Sequence, residues 1–178
     1  IGIAEKIDTP AVIENCENKG HISSPSMADY DVYYFGGIAG KVNGAFTLRN
    51  CVNRGNLTAA VERDIAGIAV SGGYDAVFEN CENYGNITVA PNHKPNEGDR
   101  WRPCVAGIVA IENDVTTTIT NCTSDCVIDA TVYRATSIDK VYVFQKTWEN
   151  GTEDTKTVCD EASKSNSAGT TINITTRE

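Results

Sequence analysis

The stretch Phe46-Thr47-Leu48-Arg49-Asn50-Cys51-Val52-Asn53-Arg54-Gly55-Asn56-Leu57-Thr58 decides the fold, because it is one copy of a unit that the chain repeats in phase. Asn15-Cys16, Asn80-Cys81 and Asn121-Cys122 match its Asn50-Cys51. An apolar residue stands two places before each Asn: Ile13, Leu48, Phe78 and Ile119. After the Cys come Asn18, Asn53 and Asn83, then Gly20, Gly55 and Gly85, then Ile22, Leu57 and Ile87. The fourth unit has Ser124 and Cys126 in place of the Asn and the Gly, and keeps Ile128. One Asn-Cys pair means nothing; four in phase mark a repeat architecture.

A second signature opens each unit: Gly2-Ile3-Ala4, Gly37-Ile38-Ala39, Gly67-Ile68-Ala69 and Gly107-Ile108-Val109. From this Gly to the Cys the interval is 14 residues in three units and 15 in the fourth, whereas from the Cys to the next Gly it is 21, 16 and 26. One half of the unit is fixed in length and the other accepts insertions, as in stacked coils that extrude loops at one corner. Gly-Ile-Ala, the run into Asn-Cys and the segment 56–59 each read as a short β segment. The Asn and Gly between them supply turns, since Gly takes positive φ and Asn tolerates it. No helical periodicity is sustained. The expected fold is all-β: a parallel β-solenoid (β-helix) of about four coils over residues 1–130, with a C-terminal β cap or tail over 131–178 packed on the last coil.

Such stacking sets equivalent residues about 4.8 Å apart. Cys16, Cys51, Cys81 and Cys122 then point inward as small apolar fillers. Their Cβ vectors run side by side, so the sequence predicts free thiols. Asn15, Asn50, Asn80 and Asn121 form a second ladder whose amides satisfy one another. Outside, Glu14, Arg49 and Glu79 alternate in sign on neighbouring rungs, which is worth roughly 0.2–1 kcal/mol per opposite pair.

At 178 residues with 40% hydrophobic content the chain is long enough for a core, and its net charge of −9 argues against nucleic acid as a partner. No apolar run has spanning length, so no membrane insertion of this segment is expected. Of the seven cysteines, Cys104, Cys126 and Cys159 fall outside the ladder. In an oxidising setting Cys159 has Cys126 or Cys104 to pair with. Cys126 is preferred, because it replaces a turn Gly and is expected to face outward.

Gly37-Ile38-Ala39-Gly40 followed by Leu48 to Thr58 resembles the GLUG-motif repeats, and Phe78 to Thr88 matches equally well. The resemblance covers about residues 2–130. It implies a repeat segment of large secreted or cell-surface bacterial proteins, often adhesin-like, and carries over no catalytic residue.

Two insertions leave the repeat at one corner. Residues 23–36 hold Tyr30, Tyr33, Tyr34 and Phe35; residues 89–106 hold His93, Arg100, Trp101 and Arg102. Aromatic and polar groups displayed together suit a glycan or a host or other surface protein. Tyr30, Tyr33, Tyr34, His93, Arg100, Trp101 and Arg102 are therefore the candidate binding residues; the alternative is that these loops fold back over the side of the stack. With two His, no H-E-x-x-H and no G-x-S-x-G, nothing supports a metal, a cofactor or a catalytic nucleophile. Asp29 and Asp31 read as solvated carboxylates rather than Ca²⁺ ligands.

The functional expectation is an adhesin-like binding or scaffold segment, extracellular or on the cell surface, and not an enzyme. The alternatives are a passive or self-assembling spacer, and a fragment of a polysaccharide-degrading β-helix using Glu14, Glu17, Glu79 or Glu82. Arg49 between Glu14 and Glu79, and Val52 between Glu17 and Glu82, favour structural ladders. In the tail, Lys140 to Lys146 alternates as a strand, Glu149 to Thr152 reads as a hairpin turn before 155–159, and Thr170–Thr175 as a last strand. Gly2 opens a unit at once, so the first coil's strand edges are expected unpaired, and head-to-tail self-association follows.

Overall fold

In a computed structural model the described residues are 4–7, 10–24, 34–59, 64–71, 75–89, 105–111, 116–133, 141–142, 145–146 and 157–177. They form an all-β structure with one short helix, and five sheets hold the strands. The first sheet stacks Ala4–Ile7, Ala39–Val42, Ala69–Ser71, Val109–Ile111 and Gln145–Lys146. The second stacks Ala11–Glu14, Phe46–Arg49, Ala76–Glu79, Thr117–Thr120 and Thr157–Cys159. The third stacks Glu17–Asn18, Val52–Asn53, Glu82–Asn83 and Thr123–Ser124. The fourth stacks Ile22–Ser24, Leu57–Ala59, Ile87–Val89, Val127–Tyr133 and Thr171–Arg177. The fifth stacks Tyr34–Gly36, Asp64–Ala66, Val105–Ala106 and Val141–Tyr142. The chain visits the five in the same order in every unit, and each strand pairs in parallel with its equivalents one unit away.

Register follows the repeat. Leu48 faces Ile13 on one side and Phe78 on the other, and Phe78 faces Ile119. Within a strand the side chains alternate: Phe46 and Leu48 are buried, Thr47 is half-buried and Arg49 is exposed. Leu48, Leu57, Phe78, Ile87 and Ile128 are fully enclosed, and each such side chain contributes about 1.5–3 kcal/mol relative to exposure. Phe46 and Phe78 meet edge to face, with centroids 5.6 Å apart.

The Gly-Ile signature differs from its reading as a strand. Gly37 and Ile38 form the bend between the fifth and first sheets, and Ile38, Ile68 and Ile108 turn fully inward there. The glycine is required by close approach. A Cβ on Gly67 would lie 2.1 Å from the carbonyl oxygen of Gly107 and 2.3 Å from Cγ of Asn83. The two halves of the repeat signature, Gly-Ile and Asn-x-Gly, thus touch within one unit.

The tail also departs from its expected form. Gln145–Lys146 and Thr157–Cys159 lie in different sheets, each parallel to the unit before, so they do not pair as a hairpin. Residues 149–152 lie outside the described set. Together with Thr171–Arg177 these strands extend three sheets by a fifth rung, and Val141–Tyr142 is the fourth strand of the fifth sheet. In the third sheet the place of that rung is taken by the helix Glu161–Asn166, N-capped by Asp160, whose carboxylate accepts from Ser163 N at 2.8 Å. A helix can end the stack here because its polar side chains replace the missing strand. Asp160 accepts from Asn121 N at 3.0 Å, Ser163 Oγ from Cys122 N at 2.8 Å and Ser167 Oγ from Ser124 N at 2.7 Å.

Candidate functional site

The residues that repeat most strictly are committed to holding the coils together. Asn15, Asn50, Asn80 and Asn121 all adopt left-handed backbone, with φ of 57°, 53°, 51° and 48°. Asn is among the few residues that do so readily, because its short amide can bond locally. At this corner their side chains form a ladder. Asn50 donates to Asn15 Oδ1 at 3.2 Å, Asn80 to Asn50 at 3.1 Å and Asn121 to Asn80 at 2.8 Å. Asn166 of the helix adds one more rung by donating to Asn121 at 3.4 Å.

A second amide ladder, at positions whose spacing in the sequence points only to turn chemistry, runs inside. Asn18 donates to Asn53 Oδ1 and Asn53 to Asn83 Oδ1, both at 2.8 Å, and Asn53 and Asn83 are wholly buried. Its polarity is opposite, since these amides donate toward the later coil. Each buried amide needs such a partner, because an unmade hydrogen bond there costs about 1–3 kcal/mol. The ladder ends on Cys126, whose Sγ accepts from Asn83 at 3.3 Å. Cys126 therefore faces inward and is buried, which overturns its expected outward position. Ser124, in the place of a fourth Asn, is too short to take that amide, and the thiol does so instead.

Cys16, Cys51, Cys81, Cys122, Cys126 and Cys159 are all free thiols; Cys104 lies outside the described residues. The preferred Cys126–Cys159 disulfide is absent. The two belong to separate apolar clusters, and Cys159 lies in register with Ile119. Cys51, Cys81 and Cys122 have no solvent exposure, and their thiols donate to backbone carbonyls of their own and the preceding coil. A hydrogen bond shared with the Cys122 thiol, together with burial, pushes Cys81 up to about 12. Cys51 is raised for the same two reasons, with Cys81 as its neighbour. These thiols are fillers, not nucleophiles.

The outer face carries charge. Arg49 pairs with Glu14 at 2.5 Å and Arg54 with Glu17 at 2.9 Å, and Lys19 reaches Glu17 at 3.0 Å. The Arg54 guanidinium also lies over the Tyr84 ring, 4.9 Å from its centroid. Val52 separates Glu17 from Glu82 in the register. Hydrogen bonds from Lys19 and Arg54 hold the Glu17 carboxyl below its ordinary range, the opposite of what a general acid needs. Among the described residues no three His, Cys, Asp or Glu side chains group as metal ligands.

Of the candidate binding residues only Tyr34 is described. It is half-buried at the start of a fifth-sheet strand, with Lys41 Nζ 4.0 Å from its ring centroid. Tyr30, Tyr33, His93, Arg100, Trp101 and Arg102 lie outside the described residues, as do Asp29 and Asp31. The elements that bracket them are clear. The connections from Ser24 to Tyr34, Ala59 to Asp64, Val89 to Val105 and Tyr133 to Val141 all join the fourth sheet to the fifth, and they differ widely in length. By contrast the second and third sheets are joined by the same short step in all four units, at Glu14 to Glu17, Arg49 to Val52, Glu79 to Glu82 and Thr120 to Thr123. No family model, curated protein or solved structure matches this chain.

Proposed function

We propose that the chain is a closed parallel β-solenoid serving as an adhesin-like scaffold of an extracellular or cell-surface protein, with the loops between its fourth and fifth sheets as the binding elements. The observation that carries this reading is the inequality of the connections. The Asn corner never changes length, because its side chains bond from coil to coil. The opposite junction varies freely, which is where a rigid scaffold accommodates a recognition surface. Residues 25–33 and 90–104, with Tyr30, Tyr33, His93, Arg100, Trp101 and Arg102, leave from that junction and suit a glycan or a protein surface.

The test is a glycan and surface-protein array probed with the intact chain and with a variant in which residues 60–63 replace residues 90–104. Binding that disappears in the loop-swapped variant, while its circular dichroism is unchanged, supports the reading. Binding retained by the variant, or no binding by the intact chain, contradicts it and leaves a passive spacer.

A further inference from the structure

Two buried hydroxyls stand apart from the ladders. Ser71 and Thr117 have no solvent exposure, and neither Ser71 Oγ nor Thr117 Oγ1 has a hydrogen-bond partner. Ser71 closes the first-sheet strand Ala69–Ser71, in register with Val42 one coil earlier. Thr117 opens the second-sheet strand Thr117–Thr120, in register with Ala76 one coil earlier and, through Ala76, with Phe46. Both rows therefore flank the connection from the first sheet to the second. Val42, Phe46 and Ala76 belong to one apolar cluster with Ile119, which alternates with Thr117 along its strand and shares its inner face. The two hydroxyls thus stand at the same inner corner of the stack, one rung apart, about 4.8 Å along its axis.

The side chains at this corner change size from coil to coil. One coil fills it with Val42 and Phe46; the next has Ser71 and Ala76, which leave space that the first pair occupies. The small pair and the two orphan hydroxyls coincide. Polar groups buried without a partner are rare in folded proteins, because each forfeits the bonds that it makes to water.

We propose that Ser71 and Thr117 hold one internal water molecule between them at this corner. Both groups are uncharged, and Val42, Phe46 and Ala76 around them are apolar, so the guest that fits is small and neutral. A hydroxyl both donates and accepts, and water answers either role. A buried water makes about 2–4 hydrogen bonds, of which the two hydroxyls supply the first two. The site lies away from the variable loops and is independent of what those loops bind.

Long-lived internal water is counted by oxygen-17 magnetic relaxation dispersion on the intact chain, on Ser71→Ala, on Thr117→Val and on the double variant, each with circular dichroism as the check on folding. The amplitude is expected to fall by the same single water in each single variant, and by no more in the double variant. Thr117→Ser keeps the hydroxyl and is expected to keep the water, which separates a lost hydrogen bond from altered packing. Unchanged amplitude in either single variant overturns the proposal, as does the loss of two waters in the double variant, which would mean separate sites. Loss in Thr117→Ser equal to that in Thr117→Val also overturns it, since the hydroxyl would then not be what holds the water.

Discussion

The side-chain amide of Asn80 donates to Oδ1 of Asn50, 30 residues earlier, at 3.1 Å, and both residues stand in left-handed backbone. One residue type thus solves two problems at this corner. It tolerates the positive φ that the turn imposes, and it bridges the coil spacing with a hydrogen bond. Any coil that keeps the corner keeps the Asn.

Replacing Asn80 separates those two roles. Asn80→Ala removes its bonds to Asn50 and Asn121, each worth about 1 kcal/mol, and adds about 1 kcal/mol for a Cβ residue in that backbone. The expected loss is about 2–3 kcal/mol in urea unfolding. Asn80→Gly loses the bonds but relaxes the backbone, so it is milder by about 1 kcal/mol. Equal losses for the two would show that the left-handed corner carries no strain.

The close approach between Gly67 and Asn83 is tested by adding one methyl. In Gly67→Ala the new atom meets backbone that cannot yield, with Gly107 O at 2.1 Å. The expected cost is about 3 kcal/mol or more. At Gly20 the nearest atom is Asn18 Oδ1 at 3.7 Å, so Gly20→Ala stays within about 0.5 kcal/mol. Thermal unfolding of both variants reads the contrast.

The thiol ladder predicts an alkaline weakness. Cys81 has its folded value near 12 against an ordinary value of 9.0, so the native state holds its proton after the unfolded chain has lost it. Stability is therefore complete below pH 9 and falls as pH rises from 9 toward 12, by about 1.4 kcal/mol per pH unit for each such thiol. Cys81→Ser, which removes the titrating group, flattens that slope. Alkylation at pH 8 reaches the partly exposed Cys16 and Cys159 and leaves Cys51, Cys81 and Cys122 unmodified until the chain unfolds.

Asp160 holds the helix and the last full coil at once. Asp160→Ala removes the N-cap bond to Ser163 and the acceptor for Asn121 N, and is expected to cost about 1–2 kcal/mol. Hydrogen exchange should then quicken at Asn121 and Cys122, while Asn50 and Cys51 stay protected. Uniform acceleration across all coils would mean that the helix does not end the stack locally.

The repeat was legible because Asn-Cys sits where chemistry is most constrained: positive φ outside the corner, and a cavity of thiol size inside. The fifth rung is legible as strands over 155–159 and 170–175, but not as a continuation of the stack, because it needs neither residue. Its corner is a helix, Ile119 meets Cys159, and Lys140 to Lys146, expected as one strand, divides between Val141–Tyr142 in the fifth sheet and Gln145–Lys146 in the first. Cys126 misled for a related reason. It occupies the place of a turn glycine, yet Asn83 needed an acceptor that Ser124 was too short to offer. The buried Asn18–Asn53–Asn83 ladder was present in the sequence as spacing alone, and only burial distinguishes it from ordinary turn residues. Of the loop candidates, the sequence identifies the corner from which they leave, since insertions are tolerated only where no ladder crosses.

The in-phase stack is tested most directly by nuclear Overhauser contacts from the side-chain amide of Asn80 in the folded chain at neutral pH. The account predicts contacts to Asn50 and Asn121, one coil to each side, and none to Asn15 two coils away. Contacts from Asn80 to Asn15 without Asn50, or to neither neighbour, would contradict the parallel register on which every inference about this protein stands.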